Sequence, residues 1–402
     1  MASLYPFRAL RPTPAAAARV AAVPYDVVTT DEARALASGN PLSFLHVSRA
    51  EIDLPPSTDP HADIVYERAR QNFDRLRADA PLVVEERPVV YAYRLRMGAH
   101  EQTGIAACYG VDEYDRDIIK KHERTRPDKE DDRTRHILAL RAQTGPVFLT
   151  HRASEGVDAI TRRVTAAAPL FDLTAADGVQ HTIWTATDED TRALVAAFGR
   201  IPALYIADGH HRAASAARAH RQLGEESSGR FLAVAFPDDQ MQVLPYNRIV
   251  RDLAGLTPDA FLAEVRRRFT VKDGPAVPAR KGEVALYLGG RWQTIVLGGS
   301  GTTGGADAIG GLDVSLLQDG LLDPVLKIAD PRTDKRIDFV GGIRGTGELE
   351  QAVADGRAVA AFSMYPVGVG ELMAIADQGG IMPPKSTWFE PKLRDGLLIH
   401  LI

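Results

Sequence analysis

Leu204-Tyr205-Ile206-Ala207-Asp208-Gly209-His210-His211-Arg212, running on into Ala213–Leu223, is the stretch on which the fold turns. An apolar, β-rich run ends at Asp208, Gly209 permits a tight turn, and a helix rich in Ala and Arg begins. The N–H groups at a helix start have no intrahelical partners, and the positive end of the dipole favours anions there. Arg212 adds a planar fork suited to phosphate, and the two imidazoles add donors that can be charged or neutral. Asp208 is placed to hold a hard divalent cation beside phosphates, or to take a proton from an acceptor hydroxyl. A plainer reading makes Asp208 a helix cap and the histidines a cover for the helix end. Two histidines and an arginine on one turn are more than a cap requires.

Outward from this junction the pattern is mixed. Helices are expected at Asp63–Ala78, Asp128–Arg141, Val157–Ala167, Asp188–Phe198, Pro258–Phe269, Gly347–Asp355 and Gly368–Asp377. Strands are expected at Val89–Leu95 and Ile105–Val111 around a Gly98–Gly104 turn, at Phe231–Phe236, and at Val284–Leu288 and Thr294–Leu297 as a hairpin at Gly289 and Gly290. Strands at Val359–Met364 and Leu397–Leu401 complete the set, and Pro6–Pro24 reads as extended structure around short turns. This interleaving predicts an α/β (α+β) fold. Gly298–Gly311 contains seven glycines and no lysine, so it reads as a linker and not a phosphate loop.

The 402 residues carry a formal net charge of −5 with 45% hydrophobic and 25% charged side chains. That balance buries a core and offers no global basic field to nucleic acid. The single cysteine, Cys108, sits in an apolar run and excludes a disulfide framework or a cysteine-built zinc site. No apolar run reaches membrane-spanning length, and the first residues lack a signal-peptide core, so a cytoplasmic location is expected.

Two further clusters bear chemistry. Lys121-His122-Glu123-Arg124-Thr125 lacks the second histidine of a zinc-protease motif, since Arg126 stands there, but it groups a carboxylate, cations and a hydroxyl. Met382-Pro383-Pro384-Lys385-Ser386-Thr387-Trp388-Phe389-Glu390-Pro391-Lys392 is a stiff loop with phosphate-friendly side chains at Lys385, Ser386 and Thr387, though without the upstream glycines of a Walker loop. Pro24-Tyr25-Asp26 adds a polar turn near the N-terminus.

Taken in order with Tyr246-Asn247-Arg248, these pieces resemble a widespread bacterial and archaeal family labelled as of unknown function. The Asp208–Arg212 turn is also similar to the phosphate box of the ParB and sulfiredoxin superfamily, which includes free-serine kinases of the SerK type. The resemblance implies a mixed-sheet, ParB-like phosphate-binding core with a C-terminal α/β extension. The expected division is 1–244, a ParB-like nucleotide- and phosphate-binding region, and 245–402, an α/β region closing the site, with one intertwined unit as the alternative. It also implies ATP or ADP with Mg²⁺ as cofactors and transfer of phosphate to a small hydroxy amino acid, L-serine first among them.

The roles that follow are these. Asp208 holds the metal, Glu123 takes the hydroxyl proton (with Glu32 as runner-up), and Asp208 and His210 share in catalysis. Gly209, His210, His211, Arg212, Lys385, Ser386 and Thr387 bind the nucleotide. Tyr25, Asp26, His122, Arg124 and Thr125 bind the acceptor. The expected partners are nucleotide and small-molecule substrate, with no membrane and no nucleic acid, and a homodimer is the assembly to test. Two other classes remain open: a phosphatase or nucleotide hydrolase, and a nucleotide-binding regulator without turnover.

Overall fold

The computed structural model describes residues 1–79, 82–298 and 308–402. It divides into two units: Met1–Met241 with Pro391–Ile402, and Gln242–Glu390. The sequence reading placed a single division at 244/245; in the structure the last twelve residues, Pro391–Ile402, belong with the first unit.

The first unit is built on a nine-stranded mixed sheet. Its strands are β1 (Leu4–Tyr5), β2 (Tyr91–Met97), β3 (His100–Gly110), β4 (Ile119–Lys120), β5 (Val147–His151), β6 (Phe171–Thr174), β7 (Gln180–Thr185), β8 (Leu204–Asp208) and β9 (Arg230–Pro237). They run in the order β4-β8-β5-β9-β3-β2-β7-β6, with β1 pairing to β3. β8 runs parallel to β4 and β9 parallel to β5, while the other pairs are antiparallel.

β2 and β3 form the expected hairpin, but the turn is tighter than the sequence suggested. Met97 pairs with His100 across Gly98 and Ala99, so residues 100–104 lie in the strand. Gln102 explains the difference: it is a buried polar residue on a pleated face, not a loop residue. Cys108 is buried in β3 and burial raises its thiol pKa, which makes it a core residue and no nucleophile.

Helices cover the sheet. Pro14–Val20 is helical (α1), against the extended structure expected there. Its proline stands at the first helical position, and the alanine run behind it has the highest helix propensity of any residue type. Thr30–Ala37 (α2) starts with a reciprocal capping box, in which Thr29 Oγ1 accepts from the Glu32 N–H and Glu32 Oε2 from the Thr29 N–H. Asp63–Asp79 (α3) and Pro127–Leu140 (α4) follow the predicted amphipathic pattern. Phe44 and Phe73 meet edge-on beneath α3 at 6.3 Å and are almost fully buried. Truncating either to Ala would cost about 3–5 kcal/mol.

The second unit is a six-stranded antiparallel sheet plus a two-stranded base. Its strands are β10 (Gln242–Leu244), β11 (Tyr246–Val250), β12 (Thr270–Asp273), β13 (Glu283–Leu288), β14 (Arg291–Val296), β15 (Ile337–Gly341), β16 (Ala360–Ser363) and β17 (Trp388–Glu390). The sheet order is β12-β14-β13-β16-β11-β15. β10 and β17 pair antiparallel, so the chain enters and leaves this unit along neighbouring strands. Most of the glycine-rich stretch, residues 299–307, lies outside the described residues.

Candidate active site

β8 ends at Asp208 and the helix His210–Leu223 (α5) begins two residues later, as the sequence pattern predicts. Gly209 caps the helix with φ 92°, a conformation that side chains with a Cβ disfavour. No side chain caps the first turn, so its N–H groups stay available to an anion. A Cβ on Gly209 would also meet Arg212 Nε at 3.0 Å and Cζ at 3.1 Å. Glycine is required twice over, once by the backbone and once by the guanidinium folded across it.

Arg212 is pinned by Asp208 and by the Pro146 carbonyl. Its Nη2 lies 3.3 Å from Asp208 Oδ2, and its Nη1 donates to the Pro146 oxygen. Its Nε is buried without a hydrogen-bond partner, an unmet donor in a side chain only 10% exposed. Lys392 brings a second cation to the same Asp208 oxygen, also at 3.3 Å. Lys392 and Arg212 together hold the Asp208 carboxyl well below its ordinary pKa. This carboxylate therefore already has two counter-ions on one oxygen, which is a poor setting for the divalent ion the sequence reading assigned to it.

Metal-ligand geometry occurs instead at His122, Glu123 and His210, whose ligand atoms lie within 4.8 Å of one another. Tetrahedral ligands at about 2.0–2.2 Å from an ion sit roughly 3.5 Å apart, so a modest side-chain adjustment closes the cluster. The His122 and His210 rings meet edge to face at 4.5 Å. His122 is 2% exposed, and its Nδ1 is buried with no hydrogen-bond partner. A buried imidazole nitrogen left unpartnered is what a ligand-accepting position looks like. Burial pushes His122 down to about 4 and His210 well below its ordinary value, so both rings are neutral at pH 7.

The remaining residues sort clearly. His210 Nε2 accepts from the His122 N–H at 3.4 Å, and His211 Nε2 accepts from the Arg126 N–H at 3.0 Å. The histidine pair thus ties the 121–126 loop to α5 and does not act as a pair of cations. Thr125 donates its hydroxyl to Glu130, so that expected acceptor contact is already committed within the protein. Arg124 is exposed. Tyr25 is buried with Arg133 stacked 4.1 Å from its ring, which makes it a support. Asp26 keeps 37% of its side chain exposed and lies 4.0 Å from Arg212 Nη2. Glu32, the runner-up base, spends a carboxylate oxygen on the α2 cap.

Lys385, Ser386 and Thr387 belong to the second unit. Ser386 there donates to the Pro383 carbonyl at 2.6 Å, and Lys385 Nζ sits 5.2 Å from the Tyr246 ring centre.

The sequence places Lys392 at the end of the C-terminal loop cluster without giving it a role, and gives none to Asp395. Asp395 is 3% exposed. Burial pushes its carboxyl up to about 7 against the pull of Arg212. Gly145 backs onto it so closely that a Cβ there would meet Asp395 Oδ1 at 2.5 Å.

Over residues 4–315 the sequence matches the family described as a protein of unknown function, DUF1015. The chain belongs to that family. No curated protein sequence matches it. Among solved structures it is similar to a free serine kinase in complex with AMP, at 14% identity and a TM-score of 0.37, covering 73% of this chain and 92% of that one. It is also similar to SbnI with a C-terminal truncation from Staphylococcus aureus, at 12% identity and a TM-score of 0.40, covering 74% and 87%. A conserved hypothetical protein from Pyrococcus furiosus matches at 14% identity and a TM-score of 0.36, covering 74% and 95%. Among the described residues no helix is long and apolar enough to cross a membrane.

Proposed function

We propose that this protein is a nucleotide-dependent phosphotransferase acting on the hydroxyl of a small acceptor. One observation carries the reading: the uncapped start of α5 lies beside two cations, Arg212 and Lys392, that share the Asp208 carboxylate. An incoming polyphosphate takes over the charge those cations now direct at Asp208, and the helix N–H groups receive its oxygens. Phosphoryl transfer asks the protein chiefly for such positioning and charge neutralisation.

In this reading His122, Glu123 and His210 hold a divalent cation, which when bound neutralises charge on the transferring phosphoryl group. Two imidazole ligands favour Mn²⁺ or Zn²⁺ over the Mg²⁺ expected from the motif resemblance. Asp26 becomes the carboxylate placed to take the acceptor proton. It is half-exposed and faces Arg212, whereas Asp208 is ion-paired twice and Asp395 is buried. The resemblance of the motifs makes ATP or ADP and L-serine the first substrates to try.

The test is incubation with ATP or ADP, Mg²⁺ or Mn²⁺, and a panel of hydroxy amino acids, read by phosphorus NMR. A phosphoamino acid is the expected product. Free phosphate alone would make the protein a hydrolase, and binding without turnover would make it a regulator.

A further inference from the structure

Charged groups are buried in proteins only when paired or solvated by a ligand. Arg248, on the interior strand β11 of the second unit, is 4% exposed. Its Nη2 donates to the Lys385 carbonyl at 3.2 Å and its Nη1 to the Tyr246 carbonyl, and the Phe339 ring centre lies 5.5 Å from the guanidinium carbon. Among the described residues no carboxylate pairs with it; every interaction just given is with a neutral group. Burial accordingly pulls its pKa down to about 10, with only Tyr246 acting against that. Arginines buried elsewhere in this chain are treated differently: Arg133 lies 2.7 Å from Asp132, and Arg394 is paired with Asp177.

The guanidinium opens on a cavity of about 270 Å³. Val314, Leu322, Ile337, Phe339 and Pro383 give it apolar walls, and Asp319, the one carboxylate among the described lining residues, is not ion-paired with Arg248. The wall contributed by the 383–385 turn is held in an unfavourable backbone conformation. Lys385, whose carbonyl receives the Arg248 bond, has φ 56° without being glycine. Strain of this kind collects at ligand-binding positions.

We propose that this cavity is a binding site for a small organic monoanion, a carboxylate carried on a compact apolar body, with Arg248 as its counter-ion. A single buried guanidinium matches one carboxylate in charge and in its two-pronged geometry. A polyphosphate would need further cations, and among the described residues lining the cavity Arg248 is the only one. The site is independent of the phosphoryl-transfer reading, because it lies wholly within residues 242–390.

Thermal shift on the full-length chain tests it, at constant chloride, with acetate, propionate and benzoate as probes and with inorganic phosphate and ADP as separate arms. The carboxylates raise the melting temperature in a saturable way, benzoate at lower concentration than acetate. Arg248→Gln abolishes that shift, and Arg248→Lys, which keeps the charge and loses the fork, raises the half-saturating concentration at least tenfold. No carboxylate effect on the wild type, an undiminished shift in Arg248→Gln, or a response to phosphate or ADP alone would overturn the proposal. Should the Gln variant fail to fold, an unchanged half-saturating concentration in the Lys variant overturns it equally.

Discussion

Asp208→Asn removes one negative charge from between two cations while keeping the side chain's size. Both Arg212 Nη2 and Lys392 Nζ lie 3.3 Å from the Asp208 oxygen, and the two basic side chains are 10% and 12% exposed. Breaking a fully buried pair by removing one partner costs about 3–5 kcal/mol, whereas exposed pairs are worth about 0–1 kcal/mol. Asp208 keeps 29% of its side chain exposed, which places the expected loss between these limits, at about 2–3 kcal/mol. For a unit of this size each kcal/mol moves the melting temperature by about 2–4 °C, so the variant should melt roughly 4–12 °C lower. Pyrophosphate should then stabilise the variant more than the wild type, because the ligand no longer competes with Asp208 for the two cations. Differential scanning fluorimetry across a pyrophosphate series, with calorimetric titration of ADP, measures both effects. A melting temperature within about 1 °C of wild type, or equal pyrophosphate shifts in the two proteins, would refute the reasoning.

Gly209→Ala should cost about 1–2 kcal/mol from the left-handed backbone alone. It should also weaken ADP binding at least tenfold by displacing Arg212, and unchanged affinity by calorimetry would count against that geometry. Lys392→Met should weaken pyrophosphate binding by about 10- to 100-fold, the range for a charge-assisted hydrogen bond; titration calorimetry decides. Burial holds His136 at about 4 and His181 at about 3 in the folded chain, against about 6.5 when unfolded. The unfolded chain therefore takes up protons first, so stability is complete above pH 6.5 and falls as the pH drops from there toward 4. Melting curves at pH 7, 6 and 5 should show a steady decline, which His136→Gln should lessen.

Local signals made the junction at Asp208–Arg212 readable: an apolar run, a glycine and an alanine-rich periodic segment stand side by side. The same holds for the β13–β14 hairpin at Gly289 and Gly290. What could not be read is whatever depends on distant pairing. Lys392 reaches Asp208 across 184 positions, and nothing near either residue announces the other. The metal-ligand cluster was half visible in His122-Glu123, but its third member lies 88 positions away at His210. Glu32 illustrates a signal present and overlooked, since Thr29-x-x-Glu32 is a capping-box spacing that accounts for the carboxylate without chemistry. The α1 helix was hidden by two prolines that look like breakers, one of which stands where proline suits a helix start.

The return of Pro391–Ile402 to the first unit has a consequence for the order of synthesis. A ribosome finishes all of residues 242–390 before it makes Lys392, and His400–Leu401 pairs with Ala142–Gln143 only after that. During translation the first unit waits with a gap in its structure, and Asp208 waits without one of its two cations. A nascent chain cut short anywhere between His211 and Lys392 would carry every histidine of the site and still lack one cation of the proposed phosphate seat. Under the proposed function, competence to bind nucleotide would thus report that translation had passed Lys392.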